Sequence, residues 1–150
     1  MSAQGASPTA RVEHILPAPI EEAFDAWLDP RSLTHFICPA PGRASHVSVD
    51  PRVGGKLRFV MSFPDEEIEV TGEYIALDRP ERLMFTWRCS DTGDLESVVT
   101  ILFAPVGEDQ TLMVITHTGQ PAQLVAKHRA GWSSVADQIE ASIAQRRAAH

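Results

Sequence analysis

Histidine and tyrosine side chains within apolar patterns are the residues of this chain best suited to chemistry. His117 closes an alternating strand pattern, His128 lies on the apolar stripe of a predicted helix, and Tyr74 lies in a predicted strand. If they meet, they could orient a ligand carbonyl or hydroxyl, or transfer a proton, because histidine titrates near neutral pH and tyrosine can donate. Buried polar groups more often bond to backbone carbonyls, so a structural role stays open for both histidines. We therefore name no catalytic residue.

A second group of potential ligands precedes the main strand region. His35, Cys38 and His46 have side chains that bind zinc, but their spacing matches no established metal pattern and the segment between them is rich in proline. The chain also has no GxSxG, HExxH, P-loop or GxGxxG motif. We predict neither a metal site nor a cofactor.

Gly131 and Trp132 lie in the middle of the last predicted helix. Glycine costs about 1 kcal/mol relative to alanine at such a position, so something must offset that cost. Either the helix backbone packs closely there with Trp132 as core filler, or Trp132 and Trp87 form the walls of an apolar pocket. The two interpretations are compatible, since the walls of a cavity are also core.

Composition limits the class of protein before any motif is considered. The chain has 150 residues, 43% hydrophobic and 22% charged, which is typical of one folded domain. A net charge of −7 disfavours phosphate backbones and anionic lipid, so we expect neither nucleic acid nor membrane as a partner. Two cysteines and a start without a leader pattern predict a cytoplasmic protein with reduced thiols.

The order of predicted elements defines an α+β fold. A disordered tail at 1–10 precedes a single domain at 11–150, which begins with a strand and two short helices. Turn residues, including those at 91–94, then separate six strands that an antiparallel meander would join. The predicted strands are 11–16, 44–49, 55–62, 67–77, 82–90, 95–106 and 110–118. One predicted helix starts at Pro19, and the other two cover 30–36 and 121–147.

Strand periodicity places a large apolar surface on one face of this sheet. Because successive side chains alternate in direction, the inward sets can be assigned strand by strand. They are Leu57, Phe59, Met61, Ile68, Val70, Tyr74, Leu83, Phe85, Trp87, Val99, Ile101, Phe103, Met113, Ile115 and His117. One helix about 10 Å across cannot cover seven strands about 4.8 Å apart, so the sheet must curl or leave a hollow. Gly72 is the predicted position of the bulge or bend.

Several motifs resemble one family. The segments ILPAPIEEAFDAWLDPRSLTHF, VDPRVGGKLRFVM and GEYIALDRPERLMFTW, with ITHTGQP leading to HRAGW, are similar to activator of heat shock protein 90 ATPase homologue, C-terminal-domain-like proteins of the START-like, or SRPBCC, superfamily. The resemblance covers the chain from about Val12 onward. It implies a helix-grip fold, a curved seven-stranded antiparallel sheet wrapped around a C-terminal helix, with a hydrophobic cavity between them.

The leading functional hypothesis is a non-enzymatic protein that binds a small, mostly hydrophobic molecule in that cavity. The expected ligand-binding residues are Phe59, Met61, Tyr74, Phe85, Trp87, Ile101, Met113, His117, His128 and Trp132. A proline- and glycine-rich loop at 38–45 is the expected gate.

Two alternatives remain open, together with the oligomeric state. One is an enzyme of the cyclase or dehydratase type with a histidine acid or base in the same cavity. The other is an interaction module related to heat shock protein 90 co-chaperones. In the full-length co-chaperone, binding to the chaperone and stimulation of its ATPase depend heavily on a separate N-terminal domain. We expect no room for such a domain in 150 residues, so a chaperone is not the partner we favour. We expect a monomer or a homodimer.

Overall fold

The computed structural model describes residues 8–90 and 95–148, which form one antiparallel sheet and three α-helices. The strands are β1 (Thr9–Leu16), β2 (Arg43–Val49), β3 (Lys56–Ser62), β4 (Glu67–Asp78), β5 (Arg82–Cys89), β6 (Glu96–Pro105) and β7 (Thr111–Thr118). The helices are α1 (Ile20–Ala26), α2 (Pro30–Phe36) and α3 (Val125–Ala148), and a 3₁₀ turn at Ala122–Leu124 leads into α3. The predicted α+β helix-grip fold is confirmed. Residues 1–7 of the predicted tail and the turn predicted at 91–94 lie outside the described residues.

The sheet has the strand order β1-β7-β6-β5-β4-β3-β2. Strands β2 to β7 follow one another as a meander, and β1 joins the free edge of β7. Strand β1 begins two residues earlier than predicted: Thr9 and Ala10 pair with Thr118 and His117. These two small side chains gave no apolar alternation, yet Ala10 is completely buried.

The predicted inward faces are confirmed by burial. All fifteen inward residues named above are at most 8% exposed, and eight of them are at 0 or 1%. The helix α3 contributes Trp132, Val135, Ile139 and Ile143 to the same core, together with Ala136. Period two in the strands and spacings of three and four in the helix therefore locate the core from sequence.

The two short helices fill much of the hollow that α3 leaves. Phe24 of α1 packs edge-on against Phe103 at 5.6 Å between ring centroids, and Trp27, just after α1, packs against Phe36 of α2 at 5.1 Å. A helix start holds this layer in place, because the Asp29 carboxylate accepts from the Arg31 backbone N–H at 3.2 Å. The interior is therefore closed at the end that α1 covers.

Gly72 has a role different from the one predicted. The register irregularity between β4 and β5 lies between Tyr74 and Ala76, beyond the glycine. A Cβ on Gly72 would stand 2.1 Å from the Thr86 carbonyl oxygen and 3.2 Å from the Thr86 carbonyl carbon. Close approach of two backbones, not a bulge, therefore requires glycine here.

No helix among residues 8–90 and 95–148 combines the length and the apolar character needed to cross a bilayer.

Candidate functional site

A cleft of about 330 Å³ opens at the end of the interior that α1 and α2 leave uncovered. Its sheet side is formed by β3, β4, β5 and β7, and its helix side by the 3₁₀ turn and the first three turns of α3. The loop after α2 and the turn at 63–66 complete the mouth. Buried side chains form the inner wall, whereas the charged side chains of Asp65, Glu66 and Lys127 are exposed at the rim.

Five of the ten predicted ligand-binding residues line this cleft. They are Met61, Trp87, His117, His128 and Trp132. Trp87 and Trp132 meet edge-to-face at 5.2 Å between ring centroids, so the two tryptophans form one continuous aromatic wall. Both interpretations of Trp132 hold at once, since its side chain is 4% exposed and also lines the cleft.

The other five predicted residues pack in the core and do not line the cleft. These are Phe59, Tyr74, Phe85, Ile101 and Met113, each at most 3% exposed. Phe59 lies behind Trp87, with 5.7 Å between their ring centroids, and Tyr74 packs against Phe85 at 6.2 Å. Inward direction, which the sequence predicts, is thus necessary for a place in the cleft but not sufficient.

Tyr74 does not meet the two histidines. Its backbone bonds to the turn before β3, where its N–H donates to the Gly55 carbonyl at 2.9 Å and its carbonyl accepts from Gly54 at 2.9 Å. Burial, with a further contribution from the charge of Asp50, raises the pKa of the Tyr74 hydroxyl above its ordinary value. Of the three polar residues that could have met in the interior, only His117 and His128 come together.

The hydrogen bonds of His117 fix its tautomer. An indole N–H can only donate, so the Trp132 Nε1–H donates to Nδ1 of His117 at 3.0 Å. In the neutral ring the proton is then on Nε2, which donates to Ser97 Oγ at 2.7 Å. Ser97 in turn donates to the Trp87 carbonyl at 3.3 Å. Both ring nitrogens of His117 are thus occupied by protein.

Burial also holds His117 neutral. Desolvation, followed by the nearby charge of His128, lowers the pKa of His117 from 6.5 to about 3. Protonation at Nδ1 would replace the acceptor of the Trp132 N–H by a second donor. His117 is therefore a buried connector between α3, β6 and β7, and neither nitrogen is placed to exchange a proton with a ligand.

His128 lies on the rim side of this connector. Its ring stacks on His117 with 4.5 Å between centroids and 9° between planes. Its Nδ1 is 3.4 Å from the Gln120 side-chain oxygen. The Gln120 amide nitrogen donates to the carbonyls of His117 at 2.8 Å and Pro8 at 3.0 Å, so Gln120 fixes the end of β7 against the start of β1.

The loop proposed as a gate is tied to α3. The Gln138 amide nitrogen donates to the carbonyls of Phe36 at 2.9 Å and Cys38 at 2.8 Å, and the Ala40 N–H donates to Ser134 Oγ at 3.0 Å. The predicted loop is also shorter than expected, because Arg43 already begins β2. These bonds fix Pro39 at the mouth of the cleft, where Gly131 faces it: a Cβ on Gly131 would lie 3.3 Å from Pro39 Cγ.

No group of three or more histidine, cysteine, aspartate or glutamate side chains within the described residues is arranged to hold a metal ion. Cys38 and Cys89 are buried free thiols. Burial raises the pKa of the Cys38 thiol to about 11, which keeps it protonated at neutral pH. Cys89 lines the cleft, and its sulfur accepts from Trp87 Nε1 at 2.8 Å.

Two polar residues were not predicted from the sequence: Cys89, which lines the cleft, and Ser97, which bonds to His117 behind the wall. Ser97 and Cys89 are 5% and 8% exposed, and each has the same strand parity as the inward residues named for its strand. Extending that parity by one step would have found both. Ser134 and Gln138 gave no such signal, because only the tertiary fold brings the loop carbonyls to them.

The sheet wrapped around α3, with a cleft between them, defines a START-like protein. The model of the family described as Activator of Hsp90 ATPase homolog 1-like protein matches residues 17–144, and the chain belongs to that family. No curated protein is significantly similar to this chain.

Solved structures agree with this assignment. Protein CV1439 from Chromobacterium violaceum is 26% identical with a TM-score of 0.79, covering 89% of this chain and 95% of that protein. Protein NE0264 from Nitrosomonas europaea is 20% identical with a TM-score of 0.81, covering 95% and 98%. An HSP90 activator from Plasmodium falciparum is 24% identical with a TM-score of 0.70, covering 91% and 96%. The last two matches show a common fold.

Proposed function

We propose that this protein binds a small, mostly hydrophobic molecule in the cleft between the sheet and α3. Family membership supports either a ligand-binding fold or a role like that of Hsp90 co-chaperones. The observation that favours the first is the cleft itself, whose volume of about 330 Å³ is at the lower end of the usual range for small-molecule sites. Its inner wall of Met61, Ile68, Trp87, Trp132 and Val135 supplies apolar surface for burial of such a molecule.

The hydrogen bonding of His117 argues against the enzyme alternative. Proton transfer at neutral pH needs a titrating group within reach of a ligand. His117 has a pKa of about 3 and both nitrogens engaged, so it lacks that capacity. We therefore propose binding without chemistry at His117, in a soluble protein of the cytoplasm.

Filling the cleft tests the proposal. Leu124 lines the cleft from the 3₁₀ turn and is partly buried, so Leu124→Trp adds bulk inside the mouth without opening the core. Leu102→Trp is the matched control, because Leu102 is 45% exposed on the outer face of β6. We expect 1-octanol to bind the wild type and Leu102→Trp equally in calorimetric or NMR titrations, and Leu124→Trp at least tenfold more weakly.

Two results of these titrations would contradict the proposal. Absence of 1-octanol binding to the wild type, or equal affinity for the wild type and Leu124→Trp, would contradict a ligand site in this cleft. Native mass spectrometry of protein purified from its own host then identifies the class of molecule that co-purifies.

A further inference from the structure

The inner wall of the cleft contains polar atoms, but the protein itself uses them. Trp132 Nε1 donates to His117 Nδ1, and His117 Nε2 donates to Ser97 Oγ. Trp87 Nε1 donates to the sulfur of Cys89. In the part of the chain that the structure describes, the one buried side-chain nitrogen or oxygen without a partner is Trp27 Nε1, and Trp27 does not line the cleft.

This arrangement makes the inner wall apolar toward a ligand. A hydroxyl or amide that entered it would lose its hydrogen bonds to water and find every donor and acceptor of Trp87, Trp132 and His117 already paired. The rim differs, because Asp65, Glu66 and Lys127 are exposed there and His128 is partly exposed. Polar groups of a ligand are thus excluded at the inner end and accommodated at the mouth.

We infer that the ligand is a small amphipathic molecule that enters apolar end first, with no hydrogen-bonding group on that end and its polar head at the rim. This inference rests on the proposed function and specifies it. The contrast between the apolar wall and the polar rim then sets the orientation of the ligand. His117, which was expected to select that orientation, has no part in it. The pairing of Trp132 with His117 is then a specificity device: the indole N–H covers the acceptor that would otherwise bind a buried hydroxyl.

Two isomeric diols test the inference on the unmodified protein. Both hydroxyls of 1,2-octanediol are at one end, so both can remain at the rim, whereas 1,8-octanediol must place one of them against the inner wall. We expect 1,2-octanediol to bind at least tenfold more tightly than 1,8-octanediol, a ratio that corresponds to about 1.4 kcal/mol. Equal affinities, or tighter binding of 1,8-octanediol, would overturn the inference.

The same titrations separate this inference from the proposed function. If 1-octanol binds in the cleft and the two diols bind with equal affinity, the proposed binding site is retained and the inferred orientation of the ligand is wrong. If 1-octanol itself does not bind, the site fails.

A gain of binding gives the sharper test. Trp132→Phe removes the indole N–H and leaves Nδ1 of His117 as an open acceptor at the wall, so the inner hydroxyl of 1,8-octanediol gains a partner. We expect the ratio of the two affinities to fall at least threefold in this variant. Trp27→Phe is the matched control: Trp27 packs against Trp132 with 6.3 Å between ring centroids, but its indole N–H has no partner among the described residues and it does not line the cleft, so the same truncation should preserve the ratio. An unchanged ratio in a folded Trp132→Phe protein would contradict the role assigned to Trp132.

Discussion

The two ends of the interior differ in how completely helices cover the sheet. At the covered end, Phe24 of α1 packs on Phe103, and Met113 lies beside it in the next strand, each at most 4% exposed. At the open end, Met61, Trp87 and Trp132 are buried to a similar degree and yet line the cleft. The same kind of apolar strand face therefore forms solid core where a short helix lies over it and the wall of an open cleft where none does.

Truncating one phenylalanine at each end tests this comparison most strongly. Phe24→Ala should lower the free energy of unfolding by about 3–5 kcal/mol, because Phe24 is 1% exposed and its removal leaves a cavity. Phe63→Ala, the matched change at the mouth of the cleft, should cost less than half as much, since Phe63 is only partly buried. Chemical denaturation measures both. Equal losses would show that the two ends are packed alike.

The next largest effect is a pH dependence that belongs to the open end. The pKa of His117 is about 3 in the folded state against an ordinary 6.5, so the unfolded chain binds this proton first as the pH falls. The stability due to neutral His117 is complete above pH 6.5 and decreases below it, by up to about 1.4 kcal/mol per pH unit.

The variant His117→Gln isolates this contribution. At pH 7 it should be less stable than the wild type, because it does not reproduce both bonds to Trp132 and Ser97. The difference in free energy of unfolding between the wild type and His117→Gln should narrow by up to about 2 kcal/mol between pH 6.5 and 5, since only the wild type loses stability through this residue. If this difference in free energy does not change over that pH interval, His117 titrates normally in the folded protein.

The smallest predicted effect concerns the loop at the boundary between the two ends. Gln138→Ala removes two bonds to the carbonyls of Phe36 and Cys38 and should lower stability by about 1–2 kcal/mol. Hydrogen exchange at residues 37–42 should accelerate, while the β-strands keep their protection. Gln145→Ala, an exposed position on the same helix, is the control and should change neither. An exchange rate in the loop unaffected by Gln138→Ala would show that these bonds do not hold it.

The sequence by itself determined the elements and the direction of their side chains. Alternation in the strands identified the inward face, including His117, and proline, glycine and aspartate at the turns separated the strands that pair in the sheet. These signals are local: they depend on backbone geometry within a few residues, which holds wherever the strand is placed.

Only the tertiary structure decided which part of that face is a cleft and what its polar atoms do. Phe59 and Met61 have the same parity in β3, but Trp87 covers the first while the second reaches the cleft. Likewise, Trp132 and His117 stand fifteen residues apart, and whether they bind a ligand or each other depends on how α3 lies against β7. Such choices depend on contacts between distant segments, which set packing and hydrogen-bond partners, and periodicity carries no information about them.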